Sequence, residues 1–240
     1  MAEKQKMPVA VVTGVGPGLG AALARRFAQR YAVAINARGA GYLHALGEEL
    51  RAAGANVLET PADISNAEQV AAAFARIRND LGDPEILLYN AGSGTWGDII
   101  GVTPEQYEDT WRVNAFGAFL CARETAPAMI ARGTGVMLFT GATAGVKPGP
   151  RSAAFGPAKF AMRGLAQSLS RDLGPHGIHV AWINIDGGID APRVRERHPH
   201  LNDEDLLKPD AIAETYWHLA HQDRSAWSME LEVRPFKEPF

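Results

Sequence analysis

The stretch that decides the fold is "TGVGPGLG", residues 13–20. It follows a short β-branched run at 9–13 and precedes residues 19–31, whose apolar side chains recur at helical spacing. A glycine turn between a strand and a helix is the context for dinucleotide binding, because the backbone can approach a pyrophosphate at a helix N-terminus. Two frames fit, Gly16-x-Gly18-x-x-Ala21 and Gly14-x-x-x-Gly18-x-Gly20. The alternative is a tight turn that needs glycine only for packing.

The remainder of the chain alternates between short apolar runs and longer helix-like segments. Further strands are predicted at 31–38, 56–65, 85–92, 135–145, 178–188 and 229–235, and further helices at 44–54, 67–82, 104–129, 153–174 and 209–222. Ser65 and Asn66 are both candidate caps for the helix at 67–82. This alternation predicts an α/β fold, a Rossmann-type doubly wound parallel sheet of about seven strands in a three-layer α/β/α sandwich.

Composition predicts one globular domain spanning residues 1–240. The chain is 46% hydrophobic with a formal net charge of −3, which argues against general binding to nucleic acid or an anionic membrane. The single cysteine, Cys121, excludes an internal disulfide and a thiol metal site, and is expected to be a small buried apolar residue. No apolar run has the length of a signal peptide or membrane span, so we expect a cytoplasmic protein.

One segment, residues 189–208, breaks the alternation with charge and proline. It is long for a connection in such a fold, and we interpret it as a lid over a substrate site. Its basic run at 193–197 and the His-Pro-His at 198–200 raise the alternatives of a nucleic-acid site or a metal site. Acidic residues follow at once, so we expect a solvated helical lid and no metal site.

Motifs spaced along the chain resemble the short-chain dehydrogenase/reductase family. They are Thr13-Gly14-x-x-x-Gly18-x-Gly20, Asp63-Ile64, Asn90-Ala91-Gly92, Asn114 and Lys159, and the resemblance runs from about Val9 to Val233. It implies an NAD(P)-dependent oxidoreductase with a small-molecule substrate and a homodimeric or homotetrameric assembly.

The resemblance also implies roles for individual residues. Lys159 would bind the nicotinamide ribose, and Asn114 would hold a water chain leading to it. The implied cofactor contacts are Gly14, Gly16, Gly18, Leu19 and Gly20 at the pyrophosphate, Asp63 and Ile64 at the adenine, and Asn90, Ala91, Gly92, Gly187 and Ile189 along the remainder.

Departures from the family pattern concern the proton relay. The family's acid/base tyrosine falls on Phe155 and its serine on Ala142, while its proline-glycine and threonine fall on Asp186-Gly187 and Ala191. The tyrosine works because a neighbouring lysine lowers the pKa of its phenol, which is normally about 10. Phe155 has no proton to exchange, so we expect the cofactor-binding half of the site without the usual proton relay.

Other side chains are candidate replacements for the phenol. Thr140 and Thr143 offer hydroxyls to a substrate oxygen, the alternative being packing and turn roles. Asp186 and Asp190 would be donors if burial raised the pKa of the carboxyl, the alternative being turn or capping roles. Ser152 has the spacing from Lys159 at which enoyl reductases of this superfamily place their tyrosine, or else caps the helix that follows.

The end of the second strand gives one indication of cofactor choice. It reads Asn36-Ala37-Arg38, with no acidic residue for the ribose hydroxyls, and an arginine fork can pair with a 2′-phosphate. We therefore favour NADP(H) over NAD(H), although Arg38 is otherwise an ordinary solvated charge. Trp96, just beyond the Asn90-Ala91-Gly92 motif, is expected to reach the substrate cleft by the family resemblance.

Two functions of different kind follow from the sequence. The first is an NADP(H)-dependent oxidoreductase with a non-standard proton source, since hydride transfer itself is chemistry of the cofactor. The second is an inactive nucleotide-binding pseudoenzyme that reports redox state to a partner protein. A chain that has also lost its cofactor is the third alternative, which the intact glycine turn and Lys159 disfavour.

Overall fold

A seven-stranded parallel sheet forms the centre of the protein in the computed structural model, which describes residues 7–238. Its strand order is β3-β2-β1-β4-β5-β6-β9, and a separate two-stranded pair joins β7 to β8. The strands are β1 (Val9–Thr13), β2 (Ala32–Ile35), β3 (Val57–Glu59), β4 (Pro84–Tyr89), β5 (Gly135–Thr140), β6 (Ile178–Ile185), β7 (Gly188–Ile189), β8 (Leu206–Leu207) and β9 (Glu230–Val233).

Helices cover both faces of the sheet, as the alternation of segments predicts. They are α1 (Leu19–Ala28), α2 (Ala40–Ala52), α3 (Ala67–Asp80), α4 (Pro104–Trp111), α5 (Gly117–Arg132), α6 (Phe155–Leu173), α7 (Pro192–Arg197) and α8 (Pro209–Ala220). One apolar cluster packs the sheet against α3, α5 and α6, and a second packs it against α1, α2 and α8. The predicted three-layer α/β/α architecture is confirmed.

Burial on both faces explains why the strands are continuously apolar in sequence. All five residues of β1 and all eight of β6 are buried. Cys121 lies fully buried in the cluster against α5, as expected of a small apolar residue. The last strand, β9, lies at the edge of the sheet beside β6, within the segment predicted as a strand at 229–235.

The order of strands creates a crevice at the carboxyl ends of β1 and β4. β1 pairs with β2 on one side and with β4 on the other, so the chain reverses its direction of progress across the sheet at this point. Ligands bind at such switch points in open parallel sheets, because the loops on either side diverge.

Some element boundaries differ from the sequence prediction. The predicted helix at 104–129 is two helices, α4 and α5, joined by a π-helical turn at Arg112–Phe116. The predicted strand at 31–38 is shorter in the structure, Ala32–Ile35, and beyond its end the Asn36 side chain donates to the carbonyl oxygens of Thr60 and Ala62, at 2.6 and 3.3 Å. Such local departures leave the topology unchanged.

The caps were only partly predictable. Asn66, and not Ser65, caps α3 by accepting a hydrogen bond from the Gln69 backbone N–H at 3.0 Å. The capping role considered for Ser152 is wrong, because its hydroxyl donates to the Gly149 carbonyl oxygen at 2.5 Å and α6 has no side-chain cap.

Between residues 7 and 238, no helix combines the length and apolar character needed to cross a bilayer.

The segment at 189–208 is more ordered in form than a simple loop. It contains the end of β7, the short helix α7 and the strand β8, and β7 pairs with β8 through Gly188–Leu206 and Ile189–Leu207.

Candidate functional site

The glycine turn packs too closely against the end of β4 to accept side chains at two of its positions. A Cβ on Gly14, whose φ is +68°, would lie 2.4 Å from the Ala91 Cα. A Cβ on Gly20 would lie 2.6 Å from the Gly14 carbonyl oxygen. Gly16, by contrast, has open space around its missing Cβ. The turn therefore presents bare backbone to the crevice while its other side is sealed against β4.

Asn90 links the end of β4 to this turn through two hydrogen bonds. Its side-chain amide donates to the Gly14 carbonyl oxygen at 3.0 Å, and its backbone N–H donates to the Thr13 hydroxyl at 3.2 Å. Both bonds join residues that are far apart in sequence, so they fix the relative position of the two motifs.

A cavity of about 530 Å³ opens between the glycine turn, the ends of β4, β5 and β6, and the start of α6. Most of the predicted site residues line it, and Trp96 does so as well. Those lining residues are Gly14, Gly16, Gly18, Leu19, Gly20, Asn90, Gly92, Thr140, Thr143, Phe155, Lys159, Gly187 and Ile189. Arg38, Asp63, Ile64, Ala91, Asn114 and Asp186 lie outside its lining.

Lys159 is the buried cation of the cavity. Only 4% of its surface is exposed, and its Nζ donates to the Thr140 carbonyl oxygen at 2.9 Å. Burial lowers the pKa of Lys159 to about 8, because desolvation disfavours the charged amine. The position and the unsatisfied hydrogen-bonding capacity of this amine suit a polar ligand.

Asn114 lies in the π-helical turn, outside the cavity lining but next to Gly92, which belongs to that lining. Its amide nitrogen donates to the carbonyl oxygens of Ser93 and Thr110, at 2.7 and 2.8 Å, while its buried Oδ1 has no hydrogen-bond partner among the described residues. A Cβ on Gly92 would lie 3.4 Å from that oxygen and 3.6 Å from the Lys159 Nζ. The glycine thus leaves room between an unpaired acceptor and a buried amine.

Phe155 and Trp96 form an apolar wall beside the lysine. Their ring centroids are 5.0 Å apart, and the Lys159 Nζ lies 5.6 Å from the centroid of the Phe155 ring. Ala142, which also lines the cavity, adds no hydroxyl. One helical turn therefore carries a buried amine and an apolar aromatic ring toward the same cavity.

Thr140 and Thr143 differ in the hydrogen bonds that they make. The Thr140 hydroxyl accepts a hydrogen bond from the Tyr216 phenol at 2.7 Å, and both residues are buried. The Thr143 carbonyl oxygen accepts from the backbone N–H groups of Val146 and Lys147 in a short 3₁₀ turn. Tyr216 gave no sequence signal for a site, because a tyrosine at helical spacing in α8 is typical of a core position.

Asp186 lies near the cavity in sequence but is not among the residues that line it. It is fully buried, and its Oδ2 lies 3.4 Å from the Lys147 Nζ and 3.6 Å from the Arg234 Nη1. The segment after β9 covers the neighbouring turn, where a Cβ on Gly187 would lie 2.7 Å from Pro235 Cδ. In the described chain Asp186 does not line the cavity, so the structure gives no support to its predicted role as a proton donor there.

Asp190, the other candidate carboxyl donor, is paired with an arginine. Its carboxylate accepts two hydrogen bonds from Arg195 at 2.8 and 2.9 Å.

The residues expected at an adenine lie beyond the cavity, at the ends of β2 and β3. Arg38 is exposed, and the Asp63 carboxylate accepts from the Ser65 backbone N–H and hydroxyl at 2.9 and 2.7 Å. Partial burial raises the pKa of Asp63, but the Ser65 hydrogen bonds and the charge of Arg38 together lower it. The carboxylate is therefore ionised in the neutral pH range, near the Arg38 cation.

The sequence prediction overlooked Arg193. It is exposed, as expected for a solvated helix, and it also lines the cavity together with Ala191 and Val194. Across residues 7–238, no group of three or more His, Cys, Asp or Glu side chains is placed to hold a metal ion.

The open glycine turn, the buried Lys159 amine and the unpaired Asn114 oxygen fit a nicotinamide dinucleotide. The turn offers backbone for a pyrophosphate, and the amine and the oxygen offer hydrogen bonds to ribose hydroxyls or water. Arg38 lies at the carboxyl end of β2, where a 2′-phosphate is bound in related folds.

Comparison with known proteins agrees with this geometry. The sequence model of the short chain dehydrogenase family matches residues 8–201. The chain is 34% identical over 176 residues to the short-chain dehydrogenase/reductase eriH of Hericium erinaceus, covering 71% of this chain and 70% of that protein.

Solved structures agree as well. A short-chain dehydrogenase from Rhodopseudomonas palustris has a TM-score of 0.82 at 33% identity, covering 97% of this chain and all of the other. A metagenomic short-chain oxidoreductase in complex with NADP has a TM-score of 0.82 at 30% identity, covering 95% of this chain and 96% of that one. The chain therefore belongs to the short-chain dehydrogenase/reductase family of NAD(P)-binding oxidoreductases.

Proposed function

We propose that this protein is an NADP(H)-dependent oxidoreductase that transfers hydride to or from a small organic substrate and takes its proton from a source other than a tyrosine. One observation carries the proposal: the glycine turn, the buried Lys159 and the Phe155–Trp96 wall line a single cavity. A metagenomic relative that is 30% identical binds NADP, which supports the choice of cofactor.

Each part of the cavity has a role in this proposal. The backbone of the glycine turn holds the pyrophosphate, Arg38 pairs with the 2′-phosphate, and Asp63 and Ile64 flank the adenine. Lys159 binds the nicotinamide ribose through the Nζ that faces the cavity. When bound, the nicotinamide supplies or accepts the hydride. Asn90, Ala91, Gly92, Gly187 and Ile189 shape the remaining contact surface.

The side chains that line the cavity limit the possible sources of the proton. Phe155 and Ala142 carry no exchangeable side-chain proton, and the Thr140 hydroxyl is engaged by Tyr216. A substrate whose reduced form is protonated readily by water, such as a conjugated alkene or an imine, fits this site better than a simple ketone. A simple ketone needs an acid aligned with its oxygen as the hydride arrives. Residues 189–208 cover the cavity as a lid in this proposal.

A second candidate function is a cofactor-binding pseudoenzyme that reports redox state to a partner protein. The observation that favours it is the same apolar wall, because hydride transfer without a proton donor is slow for most carbonyl substrates. Both candidates require dinucleotide binding, and only the first requires turnover.

Two measurements on the full chain separate the candidates. NADPH and NADH affinities are measured by the fluorescence of the reduced nicotinamide, and turnover is followed with ketone, enone, imine and alcohol panels. NADPH binding with enone or imine turnover supports the oxidoreductase, and binding without turnover on any panel supports the pseudoenzyme. Lys159→Met should weaken NADPH binding, with Lys208→Met, an exposed lysine, as the control.

A gain of function tests the position of Phe155. Phe155→Tyr together with Ala142→Ser should create or increase ketone reduction, because the pair restores a phenol beside Lys159 and a hydroxyl near it. The Phe155→Tyr single variant is the partial control. If the double variant folds and binds NADPH but reduces ketones no faster than the parent, the placement of Phe155 at a latent catalytic position is wrong.

We also propose that the protein forms a homodimer or homotetramer. Trp111, Phe116 and Phe119 stack along α4 and α5, with centroids 5.7 and 6.3 Å apart, and Phe119 is 43% exposed. An exposed aromatic row of this kind is typical of an interface. Sedimentation equilibrium of the wild type and of Phe119→Glu tests it, since a charge in a buried interface would shift the assembly toward monomer.

A further inference from the structure

The lid segment touches the glycine turn directly. A Cβ placed on Gly18 would lie 3.2 Å from the Ala191 Cβ, so the backbone at the start of α7 passes over the turn. Ala191, Arg193 and Val194 line the same cavity as Gly14 to Gly20. The first turn of α7 is therefore part of the wall around the position expected for a pyrophosphate.

Salt bridges hold α7 in this position. The Arg195 guanidinium donates two hydrogen bonds to the Asp190 carboxylate, at 2.8 and 2.9 Å, and one to Asp203 at 2.6 Å. The Asp190 backbone N–H donates to the Leu207 carbonyl oxygen at 2.8 Å, which extends the pairing of β7 with β8. The positive charge of Arg195 is therefore paired with carboxylates within the lid segment.

Arg193 differs from Arg195 in this respect. Arg193 is exposed and lines the cavity, and among the residues that the structure describes no hydrogen bond or ion pair involves its side chain. Arg193 and Lys159 are the charged side chains of the cavity wall, and no described Asp or Glu accompanies them there. The wall therefore has a net positive charge and an arginine fork without an anion.

We infer that Arg193 binds the pyrophosphate of the dinucleotide from the lid side, completing the site that the glycine turn begins. This rests on the proposed function. A guanidinium suits phosphate oxygens because its planar N–H groups can donate in pairs. The contact of Ala191 with Gly18 places Arg193 at the phosphate end of the cavity, whereas Phe155 and Trp96 mark the other end. A substrate carboxylate is the competing anion, and the experiment below separates the two.

The test compares equilibrium dissociation constants on the full chain for wild type, Arg193→Gln and Arg193→Lys. Arg197→Gln is the matched control, because Arg197 is an exposed arginine on the same helix and does not line the cavity. The probes are NADPH, NADH and ADP-ribose, which share the pyrophosphate but differ in the 2′-phosphate and the nicotinamide. Thermal unfolding verifies that each variant is folded.

We expect Arg193→Gln to raise the dissociation constants of all three probes about tenfold, as for the loss of a charged hydrogen bond. Arg193→Lys should give a smaller loss, and Arg197→Gln should stay within about twofold of wild type. Equal affinities in Arg193→Gln and Arg197→Gln would overturn the inference and leave the proposed function intact. A loss confined to NADPH would overturn it in favour of a 2′-phosphate contact.

Two further outcomes would also refute the contact between Arg193 and the pyrophosphate. Unchanged affinity for all probes with a raised KM for an anionic substrate would assign Arg193 to the substrate and refute the pyrophosphate contact. A wild-type chain that binds none of the three probes would refute the proposed function itself, and the inference with it.

Discussion

Replacing Lys159 by methionine should stabilise the unliganded protein at neutral pH. The lysine is buried, its pKa is lowered from 10.5 to about 8, and burial is the cause. The gap between these values corresponds to about 3 kcal/mol of penalty for holding the charged amine in the folded state. Methionine removes this penalty but loses the hydrogen bond to the Thr140 carbonyl oxygen, which costs about 1 kcal/mol. We expect a net gain of about 2 kcal/mol at pH 7.

The sign of the pH dependence follows from proton binding in the two states. Below pH 8 the lysine is protonated in both the folded and the unfolded chain, so the whole penalty is present. Between pH 8 and 10.5 the folded state releases its proton first, and the penalty disappears as the pH rises. Above that range the wild type should be the more stable protein by about 1 kcal/mol, because its neutral amine keeps the hydrogen bond.

Urea unfolding at several pH values between 7 and 10.5 measures this effect. The relevant quantity is the difference in unfolding free energy between Lys159→Met and wild type, which removes the titration of every other group. Lys208→Met, which replaces an exposed lysine, is the control variant. A Lys159→Met difference that stays constant across this range would refute the buried, low-pKa lysine.

Two further predictions concern packing around the site. Gly14→Ala should destabilise the fold by about 2 kcal/mol or more, because φ is +68° and the new Cβ would lie 2.4 Å from the Ala91 Cα, whereas Gly16→Ala should change thermal stability little. Tyr216→Phe should cost about 1 kcal/mol in urea unfolding, because the Thr140 hydroxyl loses its partner. A double-mutant cycle with Thr140→Val should show a coupling of similar size, and additive losses would contradict the hydrogen bond.

The fold was predictable because its signals are local or periodic. Strands buried on both faces appear as continuous apolar runs, and the glycine turn lies between a strand and a helix that are adjacent in sequence. Asn66 could be proposed as a cap because its partner, Gln69, is three residues away. The order of the strands was not predicted, because it depends on pairing between segments that are distant along the chain, such as β1 with β4.

The details of the site were less predictable because they depend on contacts between distant residues. Tyr216 and Thr140 are 76 positions apart, and no pattern around either one indicates their hydrogen bond. Asp186 was a candidate proton donor, but its buried carboxylate lies outside the cavity lining, with Oδ2 3.4 Å from the Lys147 Nζ and 3.6 Å from the Arg234 Nη1. Arg193 appeared to be one of several solvated basic residues until the fold of the lid showed which of them lines the cavity.

The charge of the cavity connects stability with function. A buried amine with no carboxylate beside it leaves the unliganded protein less stable than a neutral side chain would. A ligand that brings phosphates and ribose hydroxyls removes this deficit, because nearby negative charge and hydrogen-bond acceptors favour the protonated lysine. Relief of this burial penalty then contributes to the free energy of ligand binding. The protein should also gain stability with ligand concentration by mass action. An apolar side chain in place of Lys159 would stabilise the fold while removing a charge available to an anionic ligand, so this lysine is better explained by ligand binding than by folding.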